Sequence, residues 1–164
     1  MADVNNSKLL NTDTGILHKD ACIVIVKTEW NAAVVDELEN GCRKILIGSA
    51  VREVKTITVP GAFEIPFSIK RYWDINFDTH QRPAAFIALG CVIRGGTPHF
   101  EYVCQAITQG VLQLNLSLPV PVIFGVLTVD NDQQAAERIG GIHGHKGQEA
   151  AITALKMIST LQSF

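Results

Sequence analysis

Apolar residues follow two alternating rhythms along this chain, and the alternation predicts the architecture. The runs Ala21–Lys27 (ACIVIVK), about Val54–Val59, residues 84–90 and Val122–Leu127 are apolar almost without a break, the pattern of strands covered on both faces. Between them, apolar positions recur every three or four residues. Val34, Leu38, Cys42 and Ile45 predict a helix from an Asn31 N-cap to about Ile47, ended by Gly48. A second helix is expected from about Phe63 to Asn76, after Pro60-Gly61. Phe100, Val103, Cys104, Ile107, Val111 and Leu114 share one face of a long third helix, with Thr97 as its N-cap and Pro98 in its first position, where a missing N–H is tolerated. Asn131, with Gln134 three residues on, has the form of a capping box for a short helix to Ile139. Gly140 and Gly141 break it. A last helix, about Lys146–Leu161, turns Ala151, Ala154, Leu155, Ile158 and Leu161 inward.

Four strand–helix alternations, with connections too long for hairpins, imply parallel strands joined by right-handed crossovers with helices on both faces. The expected fold class is α/β: a single three-layer αβα domain over residues 21–164, flavodoxin-like in kind, with a parallel four-stranded sheet. Residues 1–20 are polar and unpatterned, with Asn5, Asn6, Ser7, Asn11, Thr12 and Asp13 among them, and are expected to form a flexible N-terminal arm. Ligands of such sheets sit where the carboxyl ends of the strands open into loops. That rule selects Thr28–Asn31, Pro60–Glu64, Cys91–His99 and Thr128–Asn131.

The third of these segments carries the most chemistry. Glycines at 95 and 96 let an anion approach the backbone, and the following helix start offers free N–H groups at the positive end of a dipole. His99, in the first turn, is the side chain type that both takes and gives a proton near neutrality. A plain strand-to-helix turn with a solvated histidine fits the same residues. The glycines at 90, 95 and 96 lack the G-x-G-x-x-G spacing of a dinucleotide site, and no G-K-[ST] follows to make a P-loop.

Composition narrows the classes. With 164 residues, 47% hydrophobic and 18% charged, the chain has enough apolar material for one full core. A formal net charge of −2, with no basic run, gives no reason to expect nucleic acid or a membrane as partner. Cys22, Cys42, Cys91 and Cys104 form no C-x-x-C pair, so buried free thiols in a reducing, cytoplasmic setting are expected. No apolar stretch reaches signal-peptide or membrane-spanning length. His143-Gly144-His145 lacks a third ligand of matching spacing, so solvated loop residues are expected there rather than a metal.

One absence is informative: from Tyr102 through Val129 there is no Asp, Glu, Lys, Arg or His, although a whole helix lies within. Its outer positions hold Gln105, Gln109 and Gln113 instead, which suggests helices of several copies packed about a shared axis; an unusually neutral surface helix is the alternative. Ile45-Leu46-Ile47 is either a second contact surface or core.

Four separated pieces, collinear from about residue 20 onward, resemble the lumazine synthase family of riboflavin biosynthesis. They are Trp30-Asn31, Val59–Pro66 (VPGAFEIP), Gly90–Val103 (GCVIRGGTPHFEYV), and Phe124–Thr128 (FGVLT) continuing to Glu137-Arg138 and Lys146-Gly147. The resemblance implies condensation of 5-amino-6-(D-ribitylamino)uracil with 3,4-dihydroxy-2-butanone 4-phosphate to 6,7-dimethyl-8-ribityllumazine, releasing phosphate and water, with no metal or organic cofactor. It implies that Trp30 stacks on the pyrimidine, a core indole being the plainer reading of the residue. Ala62, Phe63 and Glu64 would form the ribityl-binding turn, with a simple first-turn acid as the alternative for Glu64. Cys91, Val92 and Ile93 would line the heterocycle, Gly96 and Thr97 cradle the phosphate, and His99 carry the proton. Arg138 would grip the phosphate with a permanently charged fork. Phe124 and Lys146 would come from the neighbouring subunit, so two small-molecule substrates would meet between copies.

The family forms pentameric homo-oligomers, some assembled further into hollow icosahedral shells of sixty copies, and residues 138–146 lack the insertion of its pentamer-only members. Pro98 and Cys91 depart from the family's usual residues, and the second suggests a mildly reactive thiol beside the substrate. Two other readings remain: an assembling shell or scaffold subunit with incidental or lost catalysis, motivated by Leu46-Ile47, and a different phosphate-binding α/β enzyme or flavin carrier.

Overall fold

A computed structural model describes residues 7–10, 20–49 and 51–164. Strands β1 (Cys22–Thr28), β2 (Glu53–Val59), β3 (Ala85–Ile93) and β4 (Val122–Val129) are all parallel, in the order β2-β1-β3-β4. Helices α1 (Ala32–Gly48), α2 (Ile65–Asn76), α3 (His99–Ser117), α4 (Asp132–Ala136) and α5 (Lys146–Leu161) fill the crossovers, and a 3-10 turn, Ala62–Glu64, leads into α2. The chain thus steps outward from β1 to β2, then returns past β1 to β3. The reversal opens a crevice between the carboxyl ends of β1 and β3, where such sheets take ligands.

Period-two alternation divides the strand residues between two cores. Ile23, Ile25, Ile87 and Leu89 face Leu38 and Leu46 of α1 and Ala151 and Ala154 of α5. Val24, Val26, Phe86 and Ala88 face Ile65 and Ile69 of α2 and Ile107 and Val111 of α3. Each of the larger side chains here is wholly buried, which contributes about 2 kcal/mol apiece. The expected three-layer α/β architecture is the one observed.

The departures are local. Asn31 holds the N-cap position of α1 as expected, its carbonyl accepting from Val34 N and Val35 N, but its backbone is left-handed, at φ 56° and ψ 43°, and its side chain makes no capping bond. Its Nδ2 instead donates to Cys91 O at 2.8 Å, tying the end of β1 to β3. Thr97 does not cap α3; Pro98, with right-handed helical backbone, holds that position and α3 begins at His99. The Asn131 cap does form, its side chain accepting from Gln134 N at 2.9 Å. Gln134 Oε1, however, reaches back to Asp130 N at 2.9 Å, one residue short of a reciprocal box.

α4 stops at Ala136 rather than near Ile139, because Ile139–Gly141 (β5) pairs antiparallel with Gly144–His145 (β6). Positive φ at Gly140 (117°) and Gly144 (76°) makes that hairpin possible. Leu161, expected inward, is 39% exposed at the end of α5. Leu46 is core and Ile45 half-buried against it, so only Ile47 of that patch faces outward. Within the expected arm, residues 1–6 and 11–19 lie outside the described residues; of those described, Lys8 O accepts from Lys156 Nζ at 3.1 Å.

A charged cluster pins α1 to the sheet. Glu39 accepts from Thr56 Oγ1 at 2.6 Å, from Arg43 Nε at 2.7 Å, and pairs with Lys27 Nζ at 2.7 Å. Burial raises its pKa, but the bonds from Lys27, Thr56 and Arg43 outweigh that and hold it at about 2, against 4.5 for a free carboxyl. A carboxyl depressed on folding stabilises fully above its unfolded value, and the gain is lost as pH falls toward the folded one. Glu39→Gln is therefore expected to lower unfolding free energy by about 1–2 kcal/mol at pH 7. Chemical denaturation at several pH values checks it: the difference from wild type should shrink between about pH 4.5 and 2.

Candidate active site

The crevice at the reversal of strand order is a cavity of about 490 Å³ built from three loop segments. From the end of β1 come Thr28, Trp30 and Asn31; from the 3-10 turn come Ala62, Phe63 and Glu64; from β3 and the start of α3 come Cys91, Val92, Ile93, His99 and Val103. All eight heterocycle, ribityl and proton-transfer residues expected on one side of the site are thus brought together. Trp30 is 73% and Phe63 66% exposed, so neither ring is a core side chain, and both present apolar surface to the opening. Glu64 stands in the N-terminal position of α2, makes no capping bond, and leaves 3.0 Å between its Oε2 and the site a Cβ on Gly61 would occupy.

Thr28 and Val103 were not predicted from their own residue types. Thr28 is 2% exposed and its Oγ1 donates to Trp30 O at 3.3 Å, shaping the backbone beneath the indole. Its place at a strand end was the one available signal. Burial first, and the Asp132 charge second, push the Cys91 thiol up to about 11, a direction that works against the mildly reactive thiol expected there. The four described cysteines are free; Cys22, Cys42 and Cys91 are buried and Cys104 is half-buried.

Phe124 and Lys146 lie elsewhere. They line a second cavity, about 600 Å³, along the outer edge of β4 with Thr128, Glu149 and Met157. Lys146 is 6% exposed, and its ammonium is held by Glu149 Oε1 and Oε2 at 2.7 and 2.8 Å, the pairing a buried charge requires. Gly96, Thr97 and Arg138 line neither cavity. A Cβ on Gly95 or Gly96 would meet nothing within 4 Å, and both residues are exposed, so the loop there is open. Arg138 lies against its own helix turn, Nη1 donating to Gln134 O at 2.7 Å.

The histidines after Gly141 divide. His143 is half-exposed, with Nε2 3.7 Å from Glu137 Oε2. His145, expected in solvent, is buried against α1: a Cβ on Gly41 would fall 2.1 Å from its Cε1. Among the described residues no group of three or more His, Cys, Asp or Glu gathers as a metal site would require. No described helix is long and apolar enough to cross a membrane.

Fold and crevice together define an α/β enzyme of the doubly wound kind, with an aromatic-lined pocket beside a glycine-rich corner. The pattern of the 6,7-dimethyl-8-ribityllumazine synthase family matches residues 20–162, and the chain belongs to that family. Relatives of that description include one from Porphyromonas gingivalis, 46% identical over 141 residues, covering 85% of this chain and 84% of the relative. Others are from Bacteroides fragilis, 45% identical with 85% and 95% covered, and Parabacteroides distasonis, 44% identical with 84% of each covered. It is accordingly an enzyme, a transferase of riboflavin biosynthesis.

Proposed function

We propose that the chain condenses 5-amino-6-(D-ribitylamino)uracil with 3,4-dihydroxy-2-butanone 4-phosphate at a site completed by a second copy. The observation that carries this is the division of the site residues. One cavity holds an aromatic platform, a polyol acceptor and a proton carrier, while Phe124 and Lys146 stand at another edge of the same chain. Each half lacks what the other has.

In this reading Trp30 and Phe63 give flat surface to the pyrimidine, and Glu64 accepts from the ribityl hydroxyls. Gly96 and Thr97 seat the phosphate at the start of α3, and Arg138 of the adjacent copy closes over it. His99 moves protons as the imine forms and phosphate leaves. The oligomer is supported by α3, whose glutamine row shares an exposed, uncharged face with Tyr102, Leu112 and Leu116, at 69%, 54% and 74% exposure. A pentamer is the assembly proposed, with a shell of sixty as its extension, and the cytoplasm as its location. The scaffold reading keeps only Ile47 of its Leu46-Ile47 motive, since Leu46 is core and Ile47 alone faces outward.

Mixed assemblies test the shared site. Neither His99→Ala nor Arg138→Ala chains should turn over substrate well alone. Oligomers reassembled from equal amounts of both should regain activity at about a quarter of their sites, those pairing an intact His99 with an intact neighbouring Arg138. Failure of the mixture to exceed its components, with the oligomer intact by sedimentation, would place the whole site in one chain.

A further inference from the structure

The corner between β3 and α3 is held from its ends rather than from within. Arg94 N–H donates to Val129 O at 2.9 Å on one side, and Glu101 N–H donates to Pro98 O at 3.1 Å on the other. One side chain bridges them. Arg94 Nη1 donates to Glu101 in the first turn of α3, and its guanidinium lies over the Phe100 ring, 4.2 Å from the centroid. The same guanidinium turns a third edge outward, Nε donating to Asp130 Oδ1 at 2.8 Å.

Asp130 begins the connection from β4 to α4, and the contacts continue along it. Its N–H donates to Gln134 Oε1 at 2.9 Å, while Asn131 Oδ1 holds Gln134 N at 2.9 Å. Gln134 O in turn accepts from Arg138 Nη1 at 2.7 Å. An unbroken polar path therefore runs from the glycine corner to the guanidinium at 138.

We propose that Arg94 is the positioning residue of the phosphate seat, stapling the Gly95–Pro98 loop and His99 of its own seat by their flanks and setting, through Asp130 and Gln134, where the same chain's Arg138 points, the guanidinium that this chain lends to the seat of the adjoining copy. This rests on the reading of Gly96, Thr97 and Arg138 as phosphate-binding groups. The geometry needs an arginine: two carboxylates and a ring face are met by one planar fork, whereas an ammonium is a single point charge. Arg94 is 44% exposed, Glu101 53% and Asp130 60%, and pairs so exposed add little to global stability. What the network fixes is the local shape of the loop, and a displacement of the order of an ångström there is enough to spoil binding.

The experiment measures KM for each substrate, inhibition by inorganic phosphate, and Tm, in the full-length enzyme carrying Arg94→Met, Arg94→Lys, Asp130→Asn, the Met–Asn double substitution, and Arg138→Ala as reference. Arg94→Met is expected to raise KM for the phosphate-bearing substrate and the inhibition constant of inorganic phosphate together, by about ten-fold, with KM for the pyrimidine within about two-fold and Tm unchanged. Arg94→Lys should recover little of this. Asp130→Asn should give part of the same loss, about three-fold, and the double variant should be no worse than Arg94→Met, because both act on one unit. If Arg94→Met is severe while Asp130→Asn is silent, or if both weaken phosphate binding and the double variant loses the product of the two, Arg94 touches phosphate itself and the positioning role is overturned. If Arg138→Ala weakens phosphate binding and Arg94→Met does not, the proposal fails and the phosphate reading survives. No effect of Arg138→Ala on phosphate affinity would instead remove the reading beneath both.

Discussion

His99→Ala is expected to lower kcat by about a hundred-fold while leaving both KM values within about three-fold, because a positioned acid–base group acts mainly in the transition state. The side chain opens α3 and faces the crevice that holds Trp30, Glu64 and Ile93, but it lies on the surface and makes no packing contact on which the fold depends. Loss of the ring should therefore leave the thermal transition in place, surface changes of this kind being within about 0.5 kcal/mol of neutral. Steady-state kinetics with each substrate varied in turn, beside a melting curve, makes the comparison. A kcat within about three-fold of wild type would remove the histidine from the chemistry. Equal loss of affinity for both substrates would make it a binding residue and return the proton transfer to solvent or to Glu64.

The parts of this molecule that were legible in the sequence are those that one physical signal decides alone. Near-continuous apolar runs separated by more than twenty residues permit few arrangements besides a covered parallel sheet, and β1, β3 and β4 fall within two or three residues of where those runs lie. Caps are different, since Asn and Thr stabilise a helix start only when the preceding backbone is extended. Asn131 is extended at φ −159° and caps; Asn31 is left-handed at φ 56° and spends its side chain on Cys91 instead. The β5–β6 hairpin was illegible because glycine marks a break without saying what the chain does after it. His145 looked like a loop histidine because nothing local reveals that Gly41, on α1, leaves it a notch. For the site, the four strand-end segments were identifiable from topology, and eight residues do share one cavity. The separation of Phe124 and Lys146 from that cavity came only from the resemblance to a family, since no pattern along one chain encodes which edge a second copy will meet.

Gly147→Ala should be the most damaging small substitution in the protein, although by intrinsic propensity it ought to help. In an exposed helix, exchanging Gly for Ala stabilises by about 1 kcal/mol. Here the added Cβ would sit 2.0 Å from Leu38 O, 2.8 Å from Leu38 C and 2.9 Å from Leu38 Cα. These are backbone atoms of α1 and cannot swing aside as a side-chain tip can. α5 must therefore slide away from α1, opening the seam where Leu38 meets Ala151 and Ala154 and shifting Lys146 beside it. A net loss of about 3 kcal/mol is expected after the propensity gain, which for a chain of this size lowers Tm by about 6–12 °C. Gly48→Ala is the matched control: it closes α1, has nothing within 4 Å of its added methyl, and should be neutral or stabilising by up to about 1 kcal/mol. Melting both variants at one protein concentration, since any assembly makes Tm concentration-dependent, settles the sign. A Gly147→Ala protein as stable as its Gly48→Ala counterpart would mean that α1 and α5 are not in backbone contact, and the packing described for that face of the sheet would be wrong.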